Sequence, residues 1–164
     1  MKDREIHFDR RVLRRIVALS TFKDDNGKSI VIKGEVGGFV EHGGNLSQIG
    51  NSWISGNAKV YGNAKVYDDA FVGGAAVVFG NARVHGNAVV IGDSRIRDNS
   101  NIYGKAVVKG NATMIGTTIK HANETIDGNV IIYNGEIVSG EVEHNHGTHS
   151  LLRKEHPEKI KNKS

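Results

Sequence analysis

Cysteine is absent from the 164 residues, which excludes disulfides, thiolate metal sites and cysteine nucleophiles. A thiol-free chain fits a reducing compartment. Proline occurs once, as Pro157, and tryptophan once, as Trp53. No run of about 18 apolar residues exists, so no membrane-crossing helix and no membrane partner are expected. The opening MKDREIHFDRRVLRR is charged where a secretory leader would carry its apolar centre, and a cytoplasmic location is expected. Apolar spacing near 3.6 is also missing, which argues against a helical solenoid. Formal net charge is only +4, with bases gathered at Arg10, Arg11, Arg14 and Arg15 and again at Arg153, Lys154, Lys159, Lys161 and Lys163. Terminal charge of this kind reads as a solvated tail. Nucleic acid is therefore an unfavoured but open partner.

What the chain has in abundance is glycine, 21 residues, placed periodically. From Gly44 to Asn145 a six-residue word, G-N-A-x-V-x, recurs seventeen times in one expected register. It is clearest in GNAKVY (56–61), GNAKVY (62–67), GNARVH (80–85) and GNAVVI (86–91). The third letter is small (Ala58, Ala64, Ala70, Ala76, Ala82, Ala88) and the fifth branched (Val60, Val66, Val72, Val78, Val84, Val90). Small, outward and branched residues in succession make a very short strand with in-out-in alternation. Gly and Asn, which readily take positive φ, then turn the chain. Three strands and three corners close a triangular coil of eighteen residues, and seventeen words make nearly six coils, stacked as parallel strands about 4.8 Å apart. Pentapeptide helices advance by five, and the threonine ladder of ice-binding helices is missing.

The expected organisation is an N-terminal hairpin cap (1–43), the repeat (44–145) and a polar basic tail (146–164). RRIVALSTFK (14–23) and SIVIKGEV (29–36) read as strands joined at Asn26-Gly27. Atypical ends suit a stack whose terminal coils would otherwise expose unpaired backbone. The word decays over 116–127, where Lys120 falls at an inward position, so a loop or a regular coil are both open there.

GNAKVYGNAKVY resembles the hexapeptide-repeat superfamily, although Gly follows the aliphatic residue by two places here (Val60, Tyr61, Gly62) and not by one. RRIVALSTFK, KGEVGGFVE and NLSQIGNSWISGNAKVYGNAKVY resemble more closely a group of bacterial and prophage-encoded hexapeptide-repeat proteins. In that group a hairpin, a GG-aromatic turn (Gly37, Gly38, Phe39) and an N-L-S-Q segment lead into the repeat. The resemblance implies an all-β, left-handed parallel β-helix with an N-terminal hairpin cap. It also implies a phage context and, from the superfamily, homo-oligomers that are typically trimers. Acyltransferases and gamma-class carbonic anhydrases share the superfamily.

Outward residues eighteen apart should lie above one another. Trp53, Phe71, Val89 and Val107, with Ile91 alongside, then form an apolar row. Such a patch marks a subunit or partner interface, or a surface covered by the chain's own termini. A second row, Ile49, Tyr67, His85, Tyr103 and His121, follows one edge and offers a candidate groove. His85 lies one coil beyond Asp68 and Asp69, which is how a carboxylate would orient an imidazole general base; a plain stacking ladder is the alternative. The third edge carries Tyr61, Phe79, Arg97, Ile115 and Tyr133, a composition suited to contact. His144, His146 and His149 have H-x-H spacing but no anchored fourth ligand, and the glycine corners lack a GK[ST] ending, so neither a metal nor a phosphate loop is expected.

No catalytic residue and no cofactor are assigned on this reading. The expected function is a rigid, non-catalytic binding protein, with a host macromolecule such as a defence-system component as its target. The alternative is a trimeric acyltransferase using acyl-CoA, with His85 as the base.

Overall fold

The computed structural model describes residues 4–116, 124–134, 136–139 and 143–144. Strands β1 (Glu5–Phe8) and β2 (Arg11–Val17) form an antiparallel hairpin turned by Asp9 and Arg10, at φ 49° and 60°. A second hairpin, β3 (Phe22–Lys23) with β4 (Ser29–Val31), turns at Asn26-Gly27. There Asp24 Oδ1 accepts the N–H groups of Asn26 and Lys28, both at 2.9 Å, and Gly27 supplies a φ of 79°. The run 14–23, expected as one strand, is broken between β2 and β3. Ala18 turns aside there: its N–H donates to the Glu35 carbonyl (2.9 Å) and its own carbonyl accepts from Gly34 (2.8 Å). β2 then pairs antiparallel with β5 (Val36–Val40).

β5 is the first rung of a parallel stack, so the ladder begins at Phe39, ahead of residue 44. The protein is an all-β, three-sided parallel β-helix built from strands of two or three residues. Along its first face, Phe39, Lys59, Val77, Arg95, Thr113 and Ile131 stand one above another, which spans five turns. The second face stacks Lys65, Arg83 and Asn101. The third stacks Trp53, Phe71, Val89, Val107 and Thr125.

Neighbouring rungs are joined by backbone hydrogen bonds, as from Val89 N–H to the Ala106 carbonyl at 2.9 Å. The third and fifth letters fill the interior: Ala58, Ala64, Ala82 and Ala88, with Val60, Val66, Val84 and Val90, have no exposed surface at all. At the corners backbones of successive coils nearly touch. Gly92 has φ 73°, and a Cβ there would lie 2.7 Å from the Gly110 carbonyl oxygen. Asp68 and Asp98 replace glycine at equivalent corners and take the same left-handed φ, 57° and 58°.

The repeat does slip once, contrary to the single register read from the sequence. Leu46 bridges Val66, twenty residues on, whereas Ile54 pairs with Val72, eighteen on. The first coil therefore carries two extra residues between Leu46 and Ile54, and word 44–49 is out of step with the rest. The buried amide of Asn45 holds this coil in place. Its Nδ2 donates to the carbonyls of Gly62 (3.1 Å) and Ala64 (2.9 Å), and its Oδ1 accepts from the N–H groups of Glu41 (3.1 Å) and His42 (3.0 Å).

At the far end Ile126 pairs eighteen residues beyond Val108, so the register resumes there; residues 117–123 lie outside those described. Glu136–Ser139 pairs antiparallel with Ile131–Tyr133, and Glu143–His144 with Glu124–Ile126. The first face thus meets antiparallel strands at both ends and the third face at its far end, which covers edges that would otherwise recruit another chain. No helix among the described residues is long and apolar enough to cross a membrane.

Candidate interaction surfaces

The apolar row forms as the eighteen-residue coil requires, but its first member is not accessible. Trp53 keeps only 3% of its surface, with Phe22 of the β3–β4 hairpin set edge-on at 5.9 Å. Gly37 passes so close that a Cβ would fall 2.7 Å from Trp53 Cζ2. The segment between β2 and β3 also borders a half-open cavity of about 470 Å³ beside the first coil, lined by Ile16, Phe22, Leu46 and Trp53 among others. Phe71, Val89 and Val107 remain partly exposed, and so does Ile91. Ile91 and the Phe71 ring flank Gly73, where a Cβ would meet Phe71 at 2.6 Å and Ile91 Cγ2 at 3.6 Å. The accessible row is therefore Phe71, Val89, Val107 and Ile91.

The edge between the second and third faces carries the aromatic–imidazole ladder. His85 is sandwiched between Tyr67 (centroids 4.6 Å apart, planes 4° apart) and Tyr103 (5.2 Å, 13°). Its Nε2 is 2.9 Å from Asn101 Oδ1, and its Nδ1 is 3.6 Å from Asp68 Oδ2. That carboxylate oxygen also accepts the Gly86 N–H at 3.1 Å. Burial pushes the Tyr67 phenol up, partly offset by the nearby Arg83 cation. The expected carboxylate beside His85 is thus present as Asp68, but both imidazole nitrogens face protein groups and both ring faces are stacked. Ile49 is 83% exposed, and His121 lies outside the described residues.

On the edge between the first and second faces, the β1–β2 hairpin covers the start of the row. Tyr61 stacks on Phe79 (5.1 Å, 8°), meets Phe8 edge-on at 5.9 Å, and lies under the Arg11 guanidinium at 5.4 Å. Its hydroxyl donates to Asp9 Oδ2 at 3.1 Å. Burial first, then this bond to a carboxylate, raises the phenol pKa to about 12. Leu13, Phe39 and Tyr61 form a small second core between hairpin and helix. Contact composition on this edge serves contact within the chain, while Tyr133 further along is exposed.

The second face escaped the sequence reading. Lys65 and Arg83 project from it, with Asn101 on the next rung. Asn63, Asn81 and Asn99 run beside them as an amide ladder, with Nδ2 to Oδ1 distances of 3.2 Å at each step. Its signal lay in every third word, where the variable fourth letter is Lys, Arg and then Asn. Among the described residues no three His, Asp or Glu side chains converge as a metal site. His146 and His149, and the side chain of His144, lie outside them.

No family model matches the chain, and no curated protein does.

Proposed function

We propose that this protein is a non-catalytic binding protein, a rigid β-helix that docks its third face on another protein. The observation that carries the reading is the partly exposed, in-register row of Phe71, Val89 and Val107 with Ile91 beside it. These four side chains already have most of their surface covered by the fold, so burying the remaining third contributes roughly 2–4 kcal/mol in all, against 1.5–3 kcal/mol for each side chain buried from full exposure. Association itself costs about 4–15 kcal/mol. The row is therefore an anchor and not a whole interface, and the partner must also touch the neighbouring Tyr67–His85–Tyr103 edge. A backbone already fixed by its ladder loses little entropy on docking, which favours this use of the fold.

The resemblance to hexapeptide-repeat proteins supports a homo-oligomer, with a trimer favoured. Its prophage-encoded members support a cytoplasmic host macromolecule, such as a defence-system component, as the further target. The acyltransferase alternative draws on the Asp68 carboxylate 3.6 Å from His85 Nδ1. It is the weaker reading, because a general base needs a nitrogen open to the acceptor's proton, and Nε2 is directed at Asn101.

The test is the double variant Phe71→Glu/Val89→Glu, with folding checked by circular dichroism. Light scattering should report a smaller particle than the wild type, and host-lysate capture should lose the proteins that the wild type retains. Unchanged mass together with unchanged capture would sink the reading. An acyl-CoA-dependent activity abolished by His85→Ala would turn it toward catalysis.

A further inference from the structure

The second face holds an arrangement of charge that the fold does not require. Lys65 and Arg83 are register partners on adjacent rungs, and both are exposed. Like charges directly opposite on neighbouring strands destabilise a sheet. Ion pairs among the described residues join Arg11 to Glu41, Arg14 to Glu5 and Lys109 to Asp127, leaving Lys65 and Arg83 without one there. The first face avoids the same clash by alternation, with Lys59, Val77, Arg95 and Thr113 in turn.

Around the two cations the face is made of amides. Each asparagine carries two donors and two acceptor lone pairs. The ladder from Asn63 to Asn81 to Asn99 uses one donor per step, so donors and lone pairs remain for a ligand. Asn101 offers its NH₂ once its Oδ1 faces His85. With His42 and Gly44 at one end, these side chains line an open concavity of about 820 Å³ that includes no carboxylate and no apolar side chain.

We propose that this face binds an extended acidic glycan, with its carboxylate or sulfate group held between Lys65 and Arg83 and its hydroxyls on the asparagine amides. An anion at that point relieves the repulsion between the cations and gains charge-assisted hydrogen bonds from both. The amide-rich lining matches hydroxyls, and the lack of apolar side chains suits a sugar better than a protein core. The concavity is open across three rungs, and it repeats its polar groups at about 4.8 Å, close to the length of one pyranose ring in an extended chain. Single-stranded nucleic acid fits less well. Its bases would seek aromatic platforms on which to stack, and no Phe, Tyr or Trp ring among the described residues lines this face. The rings of Tyr67, His85 and Tyr103 are stacked on one another instead.

Calorimetric titration of the full chain tests the proposal, with four probes: a hexagalacturonate, a heparin-derived hexasaccharide, neutral maltohexaose and an oligo-dT strand. At least one acidic hexasaccharide should bind, maltohexaose should not, and the stronger of the two acids identifies carboxylate or sulfate as the anion. Lys65→Gln/Arg83→Gln should weaken binding tenfold or more while melting no lower than the wild type, since a repulsion has been removed. Asn81→Asp, which places a negative charge beside the cations, should weaken it comparably. The Phe71→Glu/Val89→Glu variant should bind as the wild type does, which keeps this test separate from that of the third face. Failure of both acidic glycans to bind, equal binding of maltohexaose, preference for oligo-dT, or full affinity in the Lys65/Arg83 variant would each overturn the proposal.

Discussion

Raising the pH above 10 should loosen the β1–β2 hairpin from the β-helix, and Tyr61 is the group responsible. In the folded chain its phenol pKa is raised from 10.0 to about 12. Below pH 10 the phenol is protonated in the folded and unfolded chains alike, and its contribution to stability is complete. Between 10 and 12 the unfolded chain releases the proton while the folded chain keeps it, so stability falls as pH rises. At about 1.4 kcal/mol per pH unit, the loss reaches roughly 2–3 kcal/mol by pH 12. That is a sizeable part of the 5–15 kcal/mol typical of a domain. The ring is 4% exposed, so solvent does little to soften the effect. Tyr61→Phe keeps the stacking on Phe79 and removes the titrating group along with the bond to Asp9, at a cost near 1 kcal/mol in neutral solution. Phenolate absorbance should show the last of the four tyrosines ionising near pH 12 in the wild type, and that step should vanish in the variant. Urea unfolding should give a stability that falls from pH 10 to 12 in the wild type and is nearly flat in Tyr61→Phe once the other groups are subtracted. Parallel declines in the two proteins would refute the reasoning.

Two further outcomes follow from single corners and charges. Gly92→Ala should lower stability more than Gly128→Ala by thermal melting. Both residues have left-handed φ, worth about 1–2 kcal/mol against alanine, but at Gly92 the new Cβ would meet the next coil, whereas at Gly128 nothing among the described residues lies within 4 Å. Equal shifts would show that the corners have room to spread. Glu41 is held below its ordinary pKa of 4.5, mainly by the Gly62 N–H donated to it at 2.7 Å and also by Arg11. A depressed carboxyl contributes stability that is present above the unfolded value and lost as pH falls through the folded one. Acid unfolding followed by circular dichroism should therefore show a shallower limb below pH 4.5 in Glu41→Gln.

The interior was legible because its rule is local. A small third letter and a branched fifth letter dictate which side chains point inward, and Ala58 to Val108 obey without exception in burial class. The first coil was not legible, because its register depends on one amide, Asn45, whose four bonds reach Gly62 and Ala64 as well as its own turn. The β1–β2 hairpin was hidden for a different reason. Its turn uses Asp9 and Arg10 at positive φ, where sequence signals look for Asn-Gly. Stacked rows follow from arithmetic on the coil, so the alignment of Phe71, Val89 and Val107 is legible in the sequence. Cover could not be found that way, since what buries Trp53 is a hairpin brought back from residues 22–31. Lys65 and Arg83 were overlooked because single cations in a variable letter look ordinary until the register sets them side by side.

Successive coils present identical backbone to one another across eighteen residues, as Phe71, Val89 and Val107 show. A gene can therefore lengthen this molecule by in-frame duplication of one coil, since the inserted Ala and Val letters meet the same letters above and below. Each such event would add one side chain to every face at once and leave both capped ends untouched. Length then becomes a heritable dial on how many contacts a face offers, turned in whole steps and at little risk to folding.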